Sequence, residues 1–254
     1  MNPQILTLQS RFEELGLGFL ASGLESYLEA QSHKDQTLVQ SIADLVDLEY
    51  IPRKERSSRS RLKLSGLPSL KRLEDFDLNW LKGGLTQRQF DELSSLSFID
   101  RKQNLVLMGP SGLGKTHLML ALAHKACLNG YTAWYTTCLD LMENLTRARE
   151  AGRLKRKLTW LRKPHLLVID EVGYESLTLE QANLFFQVVN ARYEHSPIII
   201  TTNKPFGKWS EIMADEAIAT ATLDRLLHHA HILSLKGDSY RMKDRLRTGV
   251  VDPD

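Results

Sequence analysis

Cysteine is scarce in this chain of 254 residues, where Cys127 and Cys138 are the whole complement. Two thiols are too few for a disulfide framework and lack the paired spacing of a zinc site, so buried free thiols in a reducing compartment are expected. Long apolar runs are missing too. Nothing approaches the roughly 18 consecutive apolar residues of a membrane span, and MNPQILTLQSRFEEL at the N-terminus has no basic segment leading an apolar core. A soluble, cytoplasmic protein with no membrane partner is therefore expected. Charge of either sign is not in excess, with Lys+Arg 33 against Asp+Glu 31. Bulk charge thus predicts no nucleic-acid partner, and any such case must rest on clustering. Internal repeats are absent, and the length leaves room for one large or two modest domains.

What is present divides the chain in two. Over residues 5–52, apolar positions such as Leu6, Phe12, Leu15, Leu24, Leu28, Ile42, Leu45 and Leu48 recur at helical spacing, with Ser32 or Asp35 placed to cap a third helix. Composition shifts at Arg53 into RKERSSRSRLKL, which reads as a basic arm or linker ending before Gly66-Leu67-Pro68. We take 1–65 as an N-terminal helical domain with this arm, and 66–254 as a second domain. In the second, the apolar runs NLVLM, TAWYTT, HLLVID, PIIITT and HILSL alternate with helical stretches, the pattern of a parallel sheet wrapped by helices on both faces.

The octapeptide GPSGLGKT, Gly109 to Thr116, lies between the first of these strands and a helix-favouring run. Gly109, Gly112 and Gly114 free the backbone to point successive N–H groups at phosphates, with Pro110, Ser111 and Leu113 completing the loop and His117 following it. Lys115 supplies a flexible charge for the β and γ oxygens, Thr116 a hydroxyl for Mg²⁺, and the helix N-terminus a favourable dipole. A nucleoside triphosphate is the expected ligand. The loop alone fits kinases, GTPases and ATPases; later residues decide. HLLVIDE ends an apolar strand in two carboxylates, Asp170 placed to hold Mg²⁺ and Glu171 to polarise an attacking water. Asn203, after PIIITT, is placed to orient that water, although Asn at a strand end is also a plain turn former. Arg225 in TLDRLLHHAHIL is a candidate for donation to a neighbouring subunit's nucleotide, with pairing to Asp224 or Glu216 as the local alternative. Arg241 in GDSYR either reaches the γ-phosphate or is a surface arginine.

GPSGLGKTHL, LLVIDEVGY, NLFFQVVNARYE, TTNKPFGKW, TLDRLLHHAHIL, GDSYR and the upstream LEDFDLNW together resemble the IstB transposition helper proteins of insertion sequences. These are AAA+ ATPases related to the DnaC helicase loaders and more distantly to the DnaA initiator. The resemblance covers nearly the whole chain. It implies an α/β AAA+ P-loop core, ATP and Mg²⁺ as cofactors, and an oligomer with ATP at subunit interfaces. By it, Lys115 and Thr116 belong to the first motif, Asp170 and Glu171 to the second, Asn203 is the first sensor, Arg225 the trans-acting finger and Arg241 the second sensor. The implied activity is Mg²⁺-dependent, DNA-stimulated ATP hydrolysis by a helper that oligomerises on duplex DNA, prepares a target and stimulates its transposase, hydrolysis resetting the complex. The alternative is a loader of a replicative helicase. Only about a dozen residues follow Arg241, too few for the helical lid of most AAA+ proteins, so closure over nucleotide is expected from a neighbouring subunit.

Two clusters bear on DNA. RAREAGRLKRKLTWLRK holds eight basic residues and one acidic residue, split by Gly152 into two short helices. Its Arg153, Lys155, Arg156 and Lys157 are candidates for phosphate contacts blind to sequence, and the resemblance places a DNA-touching helix here; a merely solvated basic face is the competing reading. Arg53, Lys54, Arg56, Arg59, Arg61 and Lys63 form the second cluster, either DNA arm or linker. His228, His229 and His231 raise a metal site, but no carboxylate or cysteine completes a plausible ligand set and the resemblance assigns none, so no metal is expected there. Trp134, Trp160 and Trp209 read as packing residues rather than base-stacking platforms.

Overall fold

The structure, a computed structural model, describes residues 2–31 and 36–240. The chain separates into two units, Met1–Ser60 and Arg61–Asp254.

The first unit is helical: α1 (Pro3–Glu14), α2 (Gly18–Gln31) and most of α3 (Leu38–Leu64). Asn2 caps α1 through its side chain, with Pro3 at the first helical position where a missing N–H is harmless. Ser32 and Asp35 lie outside the described residues; Thr37 Oγ1 accepts from Gln40 N at 3.3 Å at the start of α3. The segment read as a basic arm or linker is helical, being the C-terminal half of α3. Arginine and lysine are good helix formers, and the pairs Glu49–Arg53 (3.1 Å) and Glu55–Arg59 (3.2 Å) sit at the i,i+4 spacing that supports a helix. Of the apolar positions expected to face a core, Leu24 is buried, whereas Leu6, Leu15, Leu28 and Ile42 are exposed. Glu49 is buried instead, its Oε2 accepting from Phe19 N (2.9 Å) and Leu20 N (3.0 Å) at the start of α2. A carboxylate there satisfies orphan N–H groups and the positive helix end together.

The second unit runs β1 (Leu81–Gly83), α4 (Gln87–Ser94), α5 (Ser97–Asp100), β2 (Asn104–Met108), α6 (Lys115–Leu128), β3 (Ala133–Thr137), α7 (Cys138–Glu150), α8 (Leu154–Leu161), β4 (Leu166–Val172), α9 (Leu179–Arg192), β5 (Ile198–Thr202), α10 (Trp209–Met213), α11 (Glu216–Leu227), β6 (Ala230–Ser234) and β7 (Lys236–Gly237). Five strands form one parallel sheet in the order β3-β4-β5-β2-β6. All five strands expected from the apolar runs are there. An antiparallel ribbon, β1 with β7, was not expected.

Alternation along the strands builds two cores. Leu105, Leu107 and Val168 pack with α6 on one face, while Val106, Leu167 and Ile169 pack with α7, α9 and α11 on the other. Asn104 ties the start of β2 to its surroundings, donating to Leu226 O (2.9 Å) and accepting from Ile198 N (2.8 Å). Buried Arg192, at the end of α9, donates to the carbonyls of Leu161 (2.6 Å), Pro164 (3.1 Å) and Pro197 (2.9 Å), joining the loops that precede β4 and β5. Those carbonyls offset the desolvation that lowers its pKa. Tyr135 N donates to Ser65 O at 2.8 Å, so the chain leaving α3 covers part of the edge of β3. Both cysteines are free and buried, and burial pushes the Cys138 thiol up to about 12. Trp209 is fully buried, and Trp134 and Trp160 meet edge to face with centroids 4.7 Å apart. No described helix is long and apolar enough to cross a membrane.

Candidate nucleotide site

The parallel sheet points the C-terminal ends of its strands one way, and the candidate residues gather there. The glycine-rich loop runs from the end of β2 into α6. Gly109 has φ +146°, and a Cβ on it would lie 2.6 Å from Leu235 O, so a larger residue cannot sit there without moving backbone. Gly114 takes φ +82° as the residue that opens α6, with the Phe76 ring 3.0 Å from where its Cβ would be. Lys115 is buried, its ammonium donating to Gly109 O and Pro110 O, both at 2.7 Å. An anion entering the loop competes with two carbonyls for that ammonium, and a phosphate oxygen carrying full charge is the stronger acceptor.

Across from the loop, β4 ends in the two carboxylates. Asp170 is buried and collects donors: Thr116 Oγ1 (3.2 Å), Glu171 N (3.1 Å) and Thr201 Oγ1 at its Oδ1, and the Tyr135 hydroxyl (3.3 Å) at Oδ2. Burial, then the Asp170 charge, pushes the Tyr135 hydroxyl well above its ordinary pKa, so it stays a proton donor. Thr116 and Asp170, the expected magnesium pair, are thus in contact. Their hydroxyl and carboxylate oxygens suit a hard dication, which prefers oxygen ligands. Glu171 takes φ +63°, in the left-handed region, and its N–H donates to Thr201 Oγ1 at 2.9 Å. A non-glycine residue held there is strained, and here the two hydrogen bonds to its N–H hold it.

A cavity of about 460 Å³ adjoins both motifs, lined by Gly112 to His117 and Glu171 on one side and by Phe76, Trp80 and Tyr240 on the other. That volume is in the range of small-ligand sites. Phe76 meets His117 at 5.7 Å, Trp80 meets Tyr240 at 5.7 Å, and Trp80 Nε1 donates to Asp238 O at 2.8 Å. Tyr240 N donates to Gly112 O at 2.7 Å, and Ser111 Oγ lies 2.9 Å from the Tyr174 hydroxyl. Tyr135, Tyr174, Thr201 and the aromatic wall were not singled out in sequence. Tyr174 sits three positions past Glu171 in LLVIDEVGY, the one signal that pointed its way.

Other expected residues stand apart from the cavity lining. Asn203 follows β5, the strand beside β4, and its Oδ1 is buried with no hydrogen-bond partner among the described residues. Arg225, on α11, pairs with neither Asp224 nor Glu216: Nε donates to Asn190 Oδ1 (2.9 Å), Nη1 to Ala221 O (3.1 Å), and the guanidinium lies 4.9 Å from the Phe186 ring centroid. Arg241 lies outside the described residues.

The basic clusters are uneven. Gly152, at φ +67°, separates α7 from α8. On α8 and at its cap, Arg153, Lys155 and Arg156 are exposed, whereas Lys157 turns its ammonium onto the Trp160 ring at 4.7 Å. On α3, Arg53 binds Glu49 and Gly16 O, Arg59 binds Glu55, and Arg61 donates to Cys127 O at 2.8 Å; Arg56 is exposed.

A five-stranded parallel sheet between helices, with a glycine-rich loop and an acidic strand end converging at the C-terminal ends of its strands, defines a P-loop nucleotide-binding fold. The DnaC helicase loader shares the fold, with a TM-score of 0.52 at 20% identity over 65% of this chain and 96% of that one. Residues 10–248 match the family described as IstB-like ATP binding protein, and the chain belongs to it. An insertion sequence IS5376 putative ATP-binding protein from Geobacillus stearothermophilus is 45% identical over 201 residues, 79% of this chain and 80% of that one. The insertion sequence IS21 putative ATP-binding protein of Pseudomonas aeruginosa is 38% identical over 244 residues, 96% and 92% of the two chains.

Proposed function

We infer that this chain is an ATP-hydrolysing transposition helper, which assembles on duplex DNA and stimulates the transposase of its insertion sequence. The observation that carries the reading is the contact of Thr116 with Asp170 beside the loop that holds Lys115, in a chain whose relatives are insertion-sequence ATP-binding proteins. ATP lies with its phosphates along Gly109 to Thr116 and its base against Phe76, His117 and Tyr240. Lys115 leaves the loop carbonyls for the β and γ oxygens. Thr116 and Asp170 hold Mg²⁺, which supplies charge neutralisation at the phosphates. Glu171 accepts a proton from the attacking water, and Asn203 offers its unpartnered carbonyl oxygen to orient that water. Arg225 serves a neighbouring subunit's γ-phosphate, and Arg241 is the second sensor. Asn190 and Phe186 fix the Arg225 side chain while it waits. Arg153, Lys155 and Arg156 contact DNA phosphates without reading bases; Lys157, Arg53, Arg59 and Arg61 contribute less, being engaged within the chain.

Glu171→Gln tests the reading. The amide keeps the shape but is a far weaker base, so ATP binds while hydrolysis falls by roughly 10²-fold or more. DNA-bound assemblies then persist, as read by sedimentation or gel shift with ATP. Normal turnover would assign the water to another residue, and copurification with a replicative helicase instead of the transposase would assign the chain to loading.

A further inference from the structure

The nucleotide reading accounts for one end of the sheet; the other end holds a second set of residues. Glu194 lies in the turn between α9 and β5, at φ +57°, and His228 and His229 lie in the turn between α11 and β6. Strands β5 and β6 both flank β2 in parallel, so their starting ends lie close in space although the turns are distant in sequence. One ligand atom from each of Glu194, His228 and His229 lies within 4.8 Å of the other two. The expectation that no carboxylate completes the set is thus corrected, since Glu194 in the turn after α9 supplies one, and the third histidine of the run, His231, is turned to Gln103 Oε1 at 3.1 Å.

We propose that Glu194, His228 and His229 bind one transition-metal dication of the Zn²⁺ type. Two imidazoles and a carboxylate form the mixed nitrogen and oxygen set that such ions take, whereas Mg²⁺ and Ca²⁺ favour oxygen alone. All three residues are exposed, which leaves the fourth position to water. A supporting residue is in place. The Tyr193 hydroxyl lies 3.0 Å from His228 Nδ1 and against the Glu194 carboxylate. By accepting from Nδ1–H and donating to Glu194, it fixes the tautomer that leaves Nε2 of His228 as the metal donor.

This ion is no part of the ATP site. His229 O accepts from Asn104 N at 2.7 Å, so the cluster stands at the start of β2, and the phosphate loop begins at its other end. Five residues of strand put roughly 16 Å between them. The ion instead clips the turn after α9 to the turn after α11. These two helices carry Asn190 and Arg225, so the clip steadies the pair that holds the guanidinium.

The test uses the full chain, stripped with chelator and free of nucleotide. Calorimetric titration with Zn²⁺ is expected to show one ion per chain, and Co²⁺ to give the visible absorption of a four-coordinate nitrogen and oxygen site. Glu194→Gln and the double variant His228→Ala/His229→Ala each weaken Zn²⁺ binding at least tenfold and abolish the rise in Tm that Zn²⁺ gives the parent, while circular dichroism and ATP affinity stay at parental values. No saturable Zn²⁺ binding, or affinity unchanged in both variants, overturns the site. Mg²⁺ binding as tight as Zn²⁺ overturns the class of ion.

Discussion

Thr201→Val probes how the second motif is held. The Thr201 hydroxyl donates to Asp170 Oδ1 and accepts from Glu171 N at 2.9 Å, so one buried oxygen links the carboxylate proposed to hold magnesium to the backbone of the residue proposed to activate water. Valine has nearly the same shape and removes only the polar link. Asp170 keeps Thr116, Tyr135 and the Glu171 N–H, and Glu171 N keeps Asp170 at 3.1 Å, so the fold survives. Two hydrogen bonds are lost, and the costlier is the one to the charged, buried Asp170, about 1.5–3 kcal/mol, since Glu171 N retains a second acceptor. For a unit of this size that lowers Tm by roughly 3–12 °C, at about 2–4 °C per kcal/mol. With its N–H half-held, Glu171 relaxes from its left-handed backbone, and kcat falls by roughly tenfold or more if about 1.4 kcal/mol of positioning is lost. ATP affinity changes little, because neither residue makes the main phosphate contacts. Thermal unfolding, nucleotide titration and steady-state hydrolysis read the three quantities. A Tm within about 1 °C of the parent together with an unchanged kcat would refute the claim that Thr201 positions both carboxylates.

Lys115→Ala removes charge-assisted bonds to the β and γ phosphates, at about 3 kcal/mol or more for two, so ATP affinity drops at least roughly a hundredfold in a folded chain, read by fluorescent-nucleotide titration. Mixing Arg225→Ala with Glu171→Gln subunits creates composite sites with both residues intact, so hydrolysis partly returns; no recovery at any ratio, with co-assembly confirmed, places Arg225 in cis. Replacing Lys155 and Arg156 with alanine weakens binding of unrelated duplexes alike and flattens the slope of log affinity against log salt by roughly 0.9 per lost contact, whereas Lys157→Ala does less because its ammonium is already over Trp160. An unaltered salt slope in the double variant would remove α8 from the DNA contact.

Much of this was legible in sequence because the signals are local. NLVLM and PIIITT are buried strands whatever surrounds them, and GPSGLGKT carries its own backbone demands. The failures have physical causes. Residues 53–64 look like a linker because Leu62 and Leu64 are their only apolar side chains, too few to mark a face, yet arginine, lysine and spaced glutamates suffice for a helix. The β1–β7 ribbon consists of LKG and KG, which have no strand signature, and forms through tertiary contact alone. LEDFDLNW was visible as a family pattern, but its place as the cavity's aromatic wall needed Trp80 set against Tyr240. Glu194 was invisible as a partner of His228 and His229, since only the sheet order brings the turns together.

The ribbon also bears on how the protein is made. The last described residues, through Tyr240, complete a wall of the cavity to which the segment from Pro68 to Leu81 also contributes, and Trp80 Nε1 reaches Asp238 O to do so. A ribosome that has delivered the glycine-rich loop, and even the acidic strand, has not yet delivered the whole of the cavity wall. Completion of that wall therefore waits on the last described strands, and a chain cut short before β6 carries the phosphate loop but lacks both Asp238 and Tyr240.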